Sequence, residues 1–390
     1  MRVAVLTREY PPEVYGGAGV HVTHLVEQLA SLVDVEVHCF GADRELAGVT
    51  AHRPWPALAS GRADEAALGV MSVDLLLAAA VRGAELVHSH TWYANLGGRL
   101  AQLLHGIPHV MTAHSLEPMR PWKREQLGGG YALSLFCERT AAEAADAVVA
   151  VSGGMRADIL ATYPSVDPDR VEVIHNGIDT EAWRPADVDP AALRRLGIDP
   201  DVPSVVFVGR ITRQKGVEHA LAAAESIDPQ AQVVLCAGAP DTPEIGAEMR
   251  ERAAAVAATR GRVVWIEDML PRGDLVQILT AATVFMCPSV YEPFGLTNLE
   301  AMACETAVVA SDVGGIPEIV VEGRTGMLVP YVDGDPAGFA TALAARVNAL
   351  LGDPDRAVAM GRAGRLRAIE HFGWPAVAAR TVQLYEKVVS

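Results

Sequence analysis

Apolar and polar positions alternate in a regular way along almost the whole chain. Short apolar runs, such as Arg2–Thr7, Leu86–His90 and Ala307–Ser311, have the length and composition of strands that are buried on both faces of a parallel sheet. The stretches between such runs repeat apolar residues with the period of a helix, as Val20–Leu32 does. The pattern is interrupted once and then restarts. We therefore predict an α/β protein with two doubly wound, Rossmann-like domains that face each other across a cleft.

Prolines mark the boundary between the two domains. Pro185, Pro190 and Pro200 interrupt the pattern after the first domain, and such a cluster is typical of a linker. The stretch Ala42–Ala63 is rich in proline, glycine and charge and is predicted to be a loop. In chain order we predict an N-terminal domain, a linker, a C-terminal domain and a last helix that crosses back onto the first domain, at residues 1–180, 181–203, 204–372 and 373–390.

Composition narrows the classes of function. The 390 residues exceed one ordinary core, and half of them are apolar, so two cores can be filled. Acidic residues outnumber basic ones by 48 to 32, and the net charge of −16 argues against nucleic acid or an anionic membrane as a partner. No apolar stretch reaches the length of a membrane span or a signal peptide, and the five cysteines lie far apart in apolar surroundings. We expect a cytoplasmic protein with free thiols.

The strongest candidate site lies where a predicted strand, ending at Cys287, leads into a predicted helix, Leu296–Cys304. Glu292 falls in the intervening loop and Glu300 about one turn inside the helix. Gly295 allows the backbone to approach a ligand, and the N–H groups of the first helical residues, Leu296 and Thr297, favour a phosphate. A carboxylate one turn further on is suited to the hydroxyls of a ribose. On spacing alone, a helix cap and a solvated face are an equally good explanation.

Glycines and cations follow other predicted strands. Gly16 and Gly17 open the first predicted helix and suit a diphosphate, although a plain tight turn is the simpler explanation. Arg210 and Lys215 lie on one strand-to-helix loop, where both side chains can reach a diphosphate.

The first domain has further candidates at its strand ends. His88 and His90 point to one face of a strand, but no further set of ligands with metal-site spacing follows, so we predict no metal. Tyr93 follows this strand, where it can stack on a sugar ring or simply pack. His114 follows the next strand. The segment Arg120–Tyr131 is predicted to be a long loop with clustered cations, which is either a surface loop or an anion site.

Several motifs together resemble one enzyme family. A glutamate within Tyr-Glu-Pro-Phe-Gly-Leu, followed after seven intervening residues by a second glutamate, is similar to the signature of retaining glycosyltransferases with the two-domain GT-B architecture. The whole chain resembles the glycogen-synthase-like members of that group. Four segments resemble its short α-maltose-1-phosphate synthase branch in particular: residues 8–19, 112–118, 120–131 and 209–216.

The resemblance implies a hexosyltransferase that moves glucose from ADP-glucose to glucose 1-phosphate, with ADP-glucose as a substrate and with neither a cofactor nor a metal required. The C-terminal domain would then bind the nucleotide-sugar donor and the N-terminal domain the acceptor. Carried over position by position, the resemblance implies that the diphosphate is bound by Gly16, Gly17, Arg210 and Lys215. It implies that His114 contacts the transferred sugar. Glu292 would bind the hydroxyls of that sugar, and Glu300 would bind the ribose. The acceptor's phosphate needs a local cation in so acidic a chain, and we predict Lys123 and Arg124 for it, with Tyr93 beside the sugar.

Two departures from longer bacterial glycogen synthases favour the short branch. Their Lys-x-Gly-Gly is Val14-Tyr15-Gly16-Gly17 here, and their His-Asn-Leu is His114-Ser115-Leu116. The alternatives are extension of an α-glucan acceptor from ADP-glucose or another nucleotide sugar, a sugar-nucleotide 2-epimerase on the same architecture, and a glucan-binding protein without turnover. A homodimer is compatible with the sequence, which does not determine the oligomeric state.

Overall fold

A computed structural model describes residues 1–58, 61–62 and 65–390. Contacts within the chain divide it into two compact units. Unit 1 comprises Met1–Gly177 and Trp374–Ser390, and unit 2 comprises Ile178–Gly373. The segment 181–203, predicted as a linker, lies in unit 2.

Strands and helices alternate through both units. The strands of the described residues are β1 Arg2–Thr7, β2 Asp34–Phe40, β3 Val49–His52, β4 Leu86–His90, β5 His109–Ala113, β6 Ala147–Ala150, β7 Val171–Val173, β8 Ser204–Arg210, β9 Gln232–Gly238, β10 Val263–Ile266, β11 Val284–Cys287, β12 Ala307–Ser311 and β13 Gly326–Val329. The α-helices of the same residues are α1 Gly17–Leu29, α2 Ala66–Ala80, α3 Trp92–His105, α4 Lys123–Leu127, α5 Gly130–Ala144, α6 Gly153–Thr162, α7 Pro190–Arg195, α8 Val217–Ala224, α9 Pro243–Arg260, α10 Arg272–Ala281, α11 Leu296–Ala303, α12 Ile316–Ile319, α13 Pro336–Leu351, α14 Pro354–His371 and α15 Trp374–Val389.

Each unit is built on one parallel sheet. In unit 1 the order of the described strands is β3-β2-β1-β4-β5-β6-β7, and in unit 2 it is β10-β9-β8-β11-β12-β13. Every pair of neighbouring strands is parallel. In both sheets the order reverses beside the first strand, between β1 and β4 and between β8 and β11, which is where doubly wound sheets hold their ligands. Two Rossmann-like units are therefore confirmed.

Apolar runs supply the cores because both faces of each sheet are covered. Val3, Val5 and Leu86 are fully buried in unit 1, where the last helix α15 contributes Trp374 and Tyr385 to the same cluster. The core of unit 2 is a second, separate cluster that includes Phe207, Leu235 and Val309, among others. In this way α15 returns from the end of the chain to the sheet that begins it.

Two predicted loops hold regular structure. The segment 42–63 contains strand β3 and a short 3-10 turn, Pro56–Leu58. Val49 and Thr50 pair with β2, and this edge pairing is not visible in the local sequence pattern. The rest of that prediction, at Ala59, Ser60 and Ala63, lies outside the described residues. The segment 120–131 contains helix α4, and Gly130 already begins α5.

In the part of the chain that the structure describes, no helix combines the length and apolar character needed to cross a bilayer.

Candidate active site

The loops after β8 and β11 lie side by side in unit 2 because these two strands are neighbours. The backbone N–H of Val290 donates to the carbonyl of Gln214 at 3.0 Å, which joins the two loops directly. Gly216 has φ +65°, and a Cβ there would come within 2.1 Å of the Pro288 carbonyl oxygen. Only glycine therefore allows this close approach.

An ion pair forms where the two loops meet. Lys215 Nζ lies 2.7 Å from Glu292 Oε2, and the Ser289 hydroxyl donates to the same oxygen at 3.0 Å. Burial is the largest single effect on the pKa of Lys215 and acts to lower it, but the Glu292 carboxylate, Cys287 and Glu300 together outweigh burial, so the pKa is raised. Lys215 therefore stays charged at neutral pH.

The loop after β12 fixes the backbone of Glu292. The Gly315 N–H donates to the Glu292 carbonyl at 2.9 Å. At Gly314, with φ +55°, a Cβ would lie 2.0 Å from that carbonyl oxygen. The double-glycine turn thus packs tightly against the segment that carries the loop glutamate, and it limits how far this carboxylate can move.

Glu300 belongs to the same group of charges. Gly295 precedes α11 with φ +109°, and Leu296 and Thr297 form the first turn, whose N–H groups have no acceptor within the helix. Burial raises the pKa of Glu300 to about 7, and the charge on Lys215 opposes the rise. Unit 2 thus brings Lys215, Glu292, Glu300 and a helix N-terminus together.

Arg210 has a different carboxylate as its partner. Its guanidinium lies 2.9 Å from Asp241 Oδ1. Asp241 follows β9, the neighbour of β8, at the same edge of the sheet. Sequence analysis did not identify Asp241. The available signal was its place one strand along from Arg210, since carboxyl ends of parallel strands meet at one edge.

The glycine loop of unit 1 is held by a side chain that sequence analysis also missed. Glu9 Oε2 accepts from the N–H of Tyr15 at 3.0 Å and from the N–H of Gly16 at 2.8 Å. Gly17 begins α1. A carboxylate accepting two consecutive amides shows that this loop can bind an anionic group.

Histidines cluster at the ends of β4 and β5. His90 Nδ1 and His114 Nε2 are 3.0 Å apart, and the His21 ring from α1 lies 4.7 Å from that of His114 between centroids. Burial lowers the pKa of all three, so they are neutral at pH 7. His88 is held separately, by the Tyr385 hydroxyl and the Thr112 hydroxyl, each at 2.7 Å. Among the described residues, His21, His90 and His114 are a set that could hold a metal, with ligand nitrogens within 4.8 Å of one another.

The predicted acceptor residues separate into two environments. Tyr93 stacks on Trp92 with 4.1 Å between ring centroids, and Lys123 Nζ donates to Gln126 Oε1 at 2.6 Å. Tyr93 and Gln126 line one cavity. Arg124 instead places its guanidinium 5.7 Å from the Tyr131 ring centroid.

Comparisons with known proteins identify the family of this chain. A family model described as Glycosyltransferase Family 4 matches residues 15–182, and one described as Glycosyl transferases group 1 matches residues 189–367. An alpha-maltose-1-phosphate synthase of Mycolicibacterium smegmatis is 59% identical over 100% of both chains. This chain is a GT-B glycosyltransferase.

Two further relatives extend the comparison. The glycosyltransferase is 33% identical to a D-inositol 3-phosphate glycosyltransferase of Corynebacterium efficiens, over 78% of this chain and 72% of the relative. The structure of this chain is similar to that of a sucrose-phosphate synthase from Thermosynechococcus elongatus, with a TM-score of 0.80 and 27% identity. The match covers 99% of this chain and 98% of the synthase chain. The predicted hexosyltransferase class is therefore confirmed.

Proposed function

We propose that this glycosyltransferase transfers glucose from ADP-glucose to glucose 1-phosphate and forms α-maltose 1-phosphate with retention of the α configuration, a product that feeds α-glucan synthesis. The observation that carries the proposal is the 59% identity, over the full length of both chains, to an enzyme named for that product. ADP-glucose as the donor rests on the sequence motifs of the short branch.

Unit 2 has the groups that a nucleotide sugar requires. Positive charge for the diphosphate comes from Lys215 and the α11 N-terminus. Arg210 adds to it once it is released from Asp241. Glu292 accepts from the hydroxyls of the transferred glucose, and Glu300 from the ribose. Both glutamates bind hydroxyls in this scheme, so neither acts as the acid of a glycosidase.

The reaction then follows from charge and position. The bond between the glucose C1 and the diphosphate oxygen breaks, and the acceptor hydroxyl oxygen bonds to C1 on the same face. The proton of that hydroxyl passes to the leaving diphosphate. Lys215 and the helix N-terminus stabilise the charge that develops on the diphosphate, which lowers the barrier.

A phosphorylated acceptor is supported by the names of two groups of relatives. One is named for maltose 1-phosphate and the other for D-inositol 3-phosphate, and both compounds are sugar or cyclitol phosphates. A chain with net charge −16 must provide local cations for such a dianion. Lys123 and Arg124 in unit 1 are candidates for this role.

The proposal is tested by pairing ADP-, UDP- and GDP-glucose in turn with glucose 1-phosphate and with glycogen. We expect ADP-glucose with glucose 1-phosphate to be the most efficient pair by kcat/KM, with an α-linked maltose 1-phosphate identified by NMR. If glucose is incorporated only into glycogen, the proposal is wrong and the enzyme extends α-glucan instead. Conversion of the nucleotide sugar without any acceptor would support an epimerase.

A further inference from the structure

A cavity of about 510 Å³ lies in unit 1 at the carboxyl end of the sheet. Arg8 follows β1 directly, and Tyr93 lies in the first turn of α3, which follows β4. Because β1 and β4 are neighbours at the point where the strand order reverses, these two side chains meet at the preferred ligand position of such a sheet. The volume falls within the range of about 300–1,000 Å³ that is usual for small-molecule sites.

Arg8 is held in the cavity by aromatic rings. Its guanidinium carbon lies 4.0 Å from the centroid of the Tyr93 ring and 5.5 Å from that of Tyr15. Among the described residues, no carboxylate forms an ion pair with it and no hydrogen bond fixes it. In a protein with 48 acidic residues, a half-buried arginine without an acidic partner is free to bind an anion, and the stacked ring orients its N–H groups.

Other residues that line the cavity supply polar and apolar contacts. Gln126 lines it and accepts from Lys123, so the predicted cationic segment reaches the cavity through these two residues. Trp92 and Leu127 add apolar surface suited to a sugar ring. An arginine together with polar and aromatic lining residues matches a small sugar that carries one phosphate.

We propose that this cavity binds a hexose monophosphate, with Arg8 as the bidentate partner of the phosphate and Tyr93 as the platform that positions Arg8. The inference rests on the proposed function, because it locates the acceptor of that reaction. It assigns the phosphate to Arg8, which sequence analysis did not single out, and leaves Arg124 with its contact to Tyr131.

Direct binding tests the cavity apart from turnover. Glucose 1-phosphate, glucose and inorganic phosphate are titrated calorimetrically into the full-length protein and into its Arg8→Gln variant. We expect the Kd for glucose 1-phosphate to rise about tenfold or more in Arg8→Gln. The matched control is Arg139→Gln, an exposed arginine of the same unit that pairs with Glu143 outside the cavity, and its Kd should equal that of the wild type.

Four binding results would overturn the inference. The first is a wild-type protein that does not bind glucose 1-phosphate, and the second is an unchanged Kd in Arg8→Gln. The third is inorganic phosphate that binds as tightly as glucose 1-phosphate, which would make this a site for the free ion. Tyr93→Leu, which keeps apolar bulk but removes the ring under Arg8, should weaken binding several-fold, and an unchanged Kd would also contradict the proposal.

Turnover separates this inference from the proposed function. If the enzyme extends only glucan, yet binds glucose 1-phosphate through Arg8, the acceptor reaction is wrong and the cavity assignment stands. If it makes α-maltose 1-phosphate and Arg8→Gln keeps the wild-type KM for glucose 1-phosphate, the reaction stands and the cavity assignment is wrong.

Discussion

The charged side chains of the unit 2 site influence one another's protonation and stability because they lie close together in a partly buried environment. Lys215 faces the Glu292 carboxylate and is close enough to Glu300 to influence its pKa. Removing one member of such a group leaves the others with uncompensated charge. Function and stability are therefore linked at these positions, and variants must be checked for folding before their kinetics are interpreted.

Lys215→Ala should lower kcat by about a hundredfold or more, roughly 2.7 kcal/mol of lost transition-state stabilisation. The reason is that its ammonium group supplies charge to the leaving diphosphate in the proposed reaction. Steady-state kinetics with saturating donor provide the measurement, and the exposed Lys387→Ala is the control. A rate near that of the wild type would show that Lys215 serves only to neutralise Glu292.

Glu300 should make donor binding dependent on pH. Its pKa of about 7 means that the carboxyl becomes protonated as pH falls through neutrality, and a protonated carboxyl is a poorer acceptor for ribose hydroxyls. The KM for ADP-glucose should therefore rise as pH is lowered from 8 to 6, and Glu300→Gln should flatten this profile. A profile that is the same in both proteins would contradict the ribose assignment.

The same pKa shift affects stability with a defined sign. Because the folded-state pKa lies above the ordinary value of 4.5, the contribution of Glu300 to stability is fully present below pH 4.5 and is lost as pH rises through about 7. The pH range of the kinetic experiment thus overlaps the upper part of the range over which this stabilisation is lost.

At the scale of elements, glycines decide how closely the site loops pack. The turn before α8 approaches the loop after β11 at Gly216, and the turn after β12 approaches it at Gly314. The positions of Lys215 and Glu292 therefore depend on backbone contacts that no side chain could replace.

Gly216→Ala should destabilise unit 2 by about 2 kcal/mol or more beyond the ordinary cost of a positive φ, because its Cβ would meet the Pro288 carbonyl. Gly323→Ala is the matched control in the same unit. Its φ is +72°, but nothing lies within 4 Å of the added Cβ. Urea denaturation of the two variants gives the comparison, and equal losses would show that the loops can separate at no cost.

The whole molecule depends on the return of its last helix to unit 1. Tyr385 on α15 is fully buried, and its hydroxyl lies 2.7 Å from His88 Nδ1 at the centre of the first sheet. The helix thus joins the end of the chain to the strand that precedes Tyr93 and the cavity it lines.

Tyr385→Phe should lower the stability of unit 1 by about 1–3 kcal/mol, because it leaves a buried His88 nitrogen without its partner. Val389→Ala, at an exposed position of the same helix, should change stability by less than about 0.5 kcal/mol. Thermal unfolding of the full-length protein measures both. If Tyr385→Phe is as stable as the control variant, the hydrogen bond contributes nothing net.

Local sequence determined which segments form strands and helices. Periodicity is a local property, so the runs Arg2–Thr7, Leu86–His90 and Ala307–Ser311 were predicted with their observed limits, and α15 lies within the predicted range 373–390. The sequence also placed Glu292 in the loop before a helix and Glu300 inside that helix, and it brought out the family resemblance, since both depend on short motifs. Strand β3 escaped prediction because its four residues are stabilised by pairing with β2.

Tertiary structure decided the partners of each charge. The contact between Arg210 and Asp241 joins the ends of two different strands. The contact between Glu9 and the Gly16 amide spans a turn. No periodicity of the sequence links the members of either pair. The third histidine of the cluster, His21, lies on a helix 69 residues before His90 and 93 residues before His114. Arg8 meets Tyr93 only because β1 and β4 are adjacent in the sheet. The sequence determined which groups are present at the strand ends, and the order of the strands determined which of them meet.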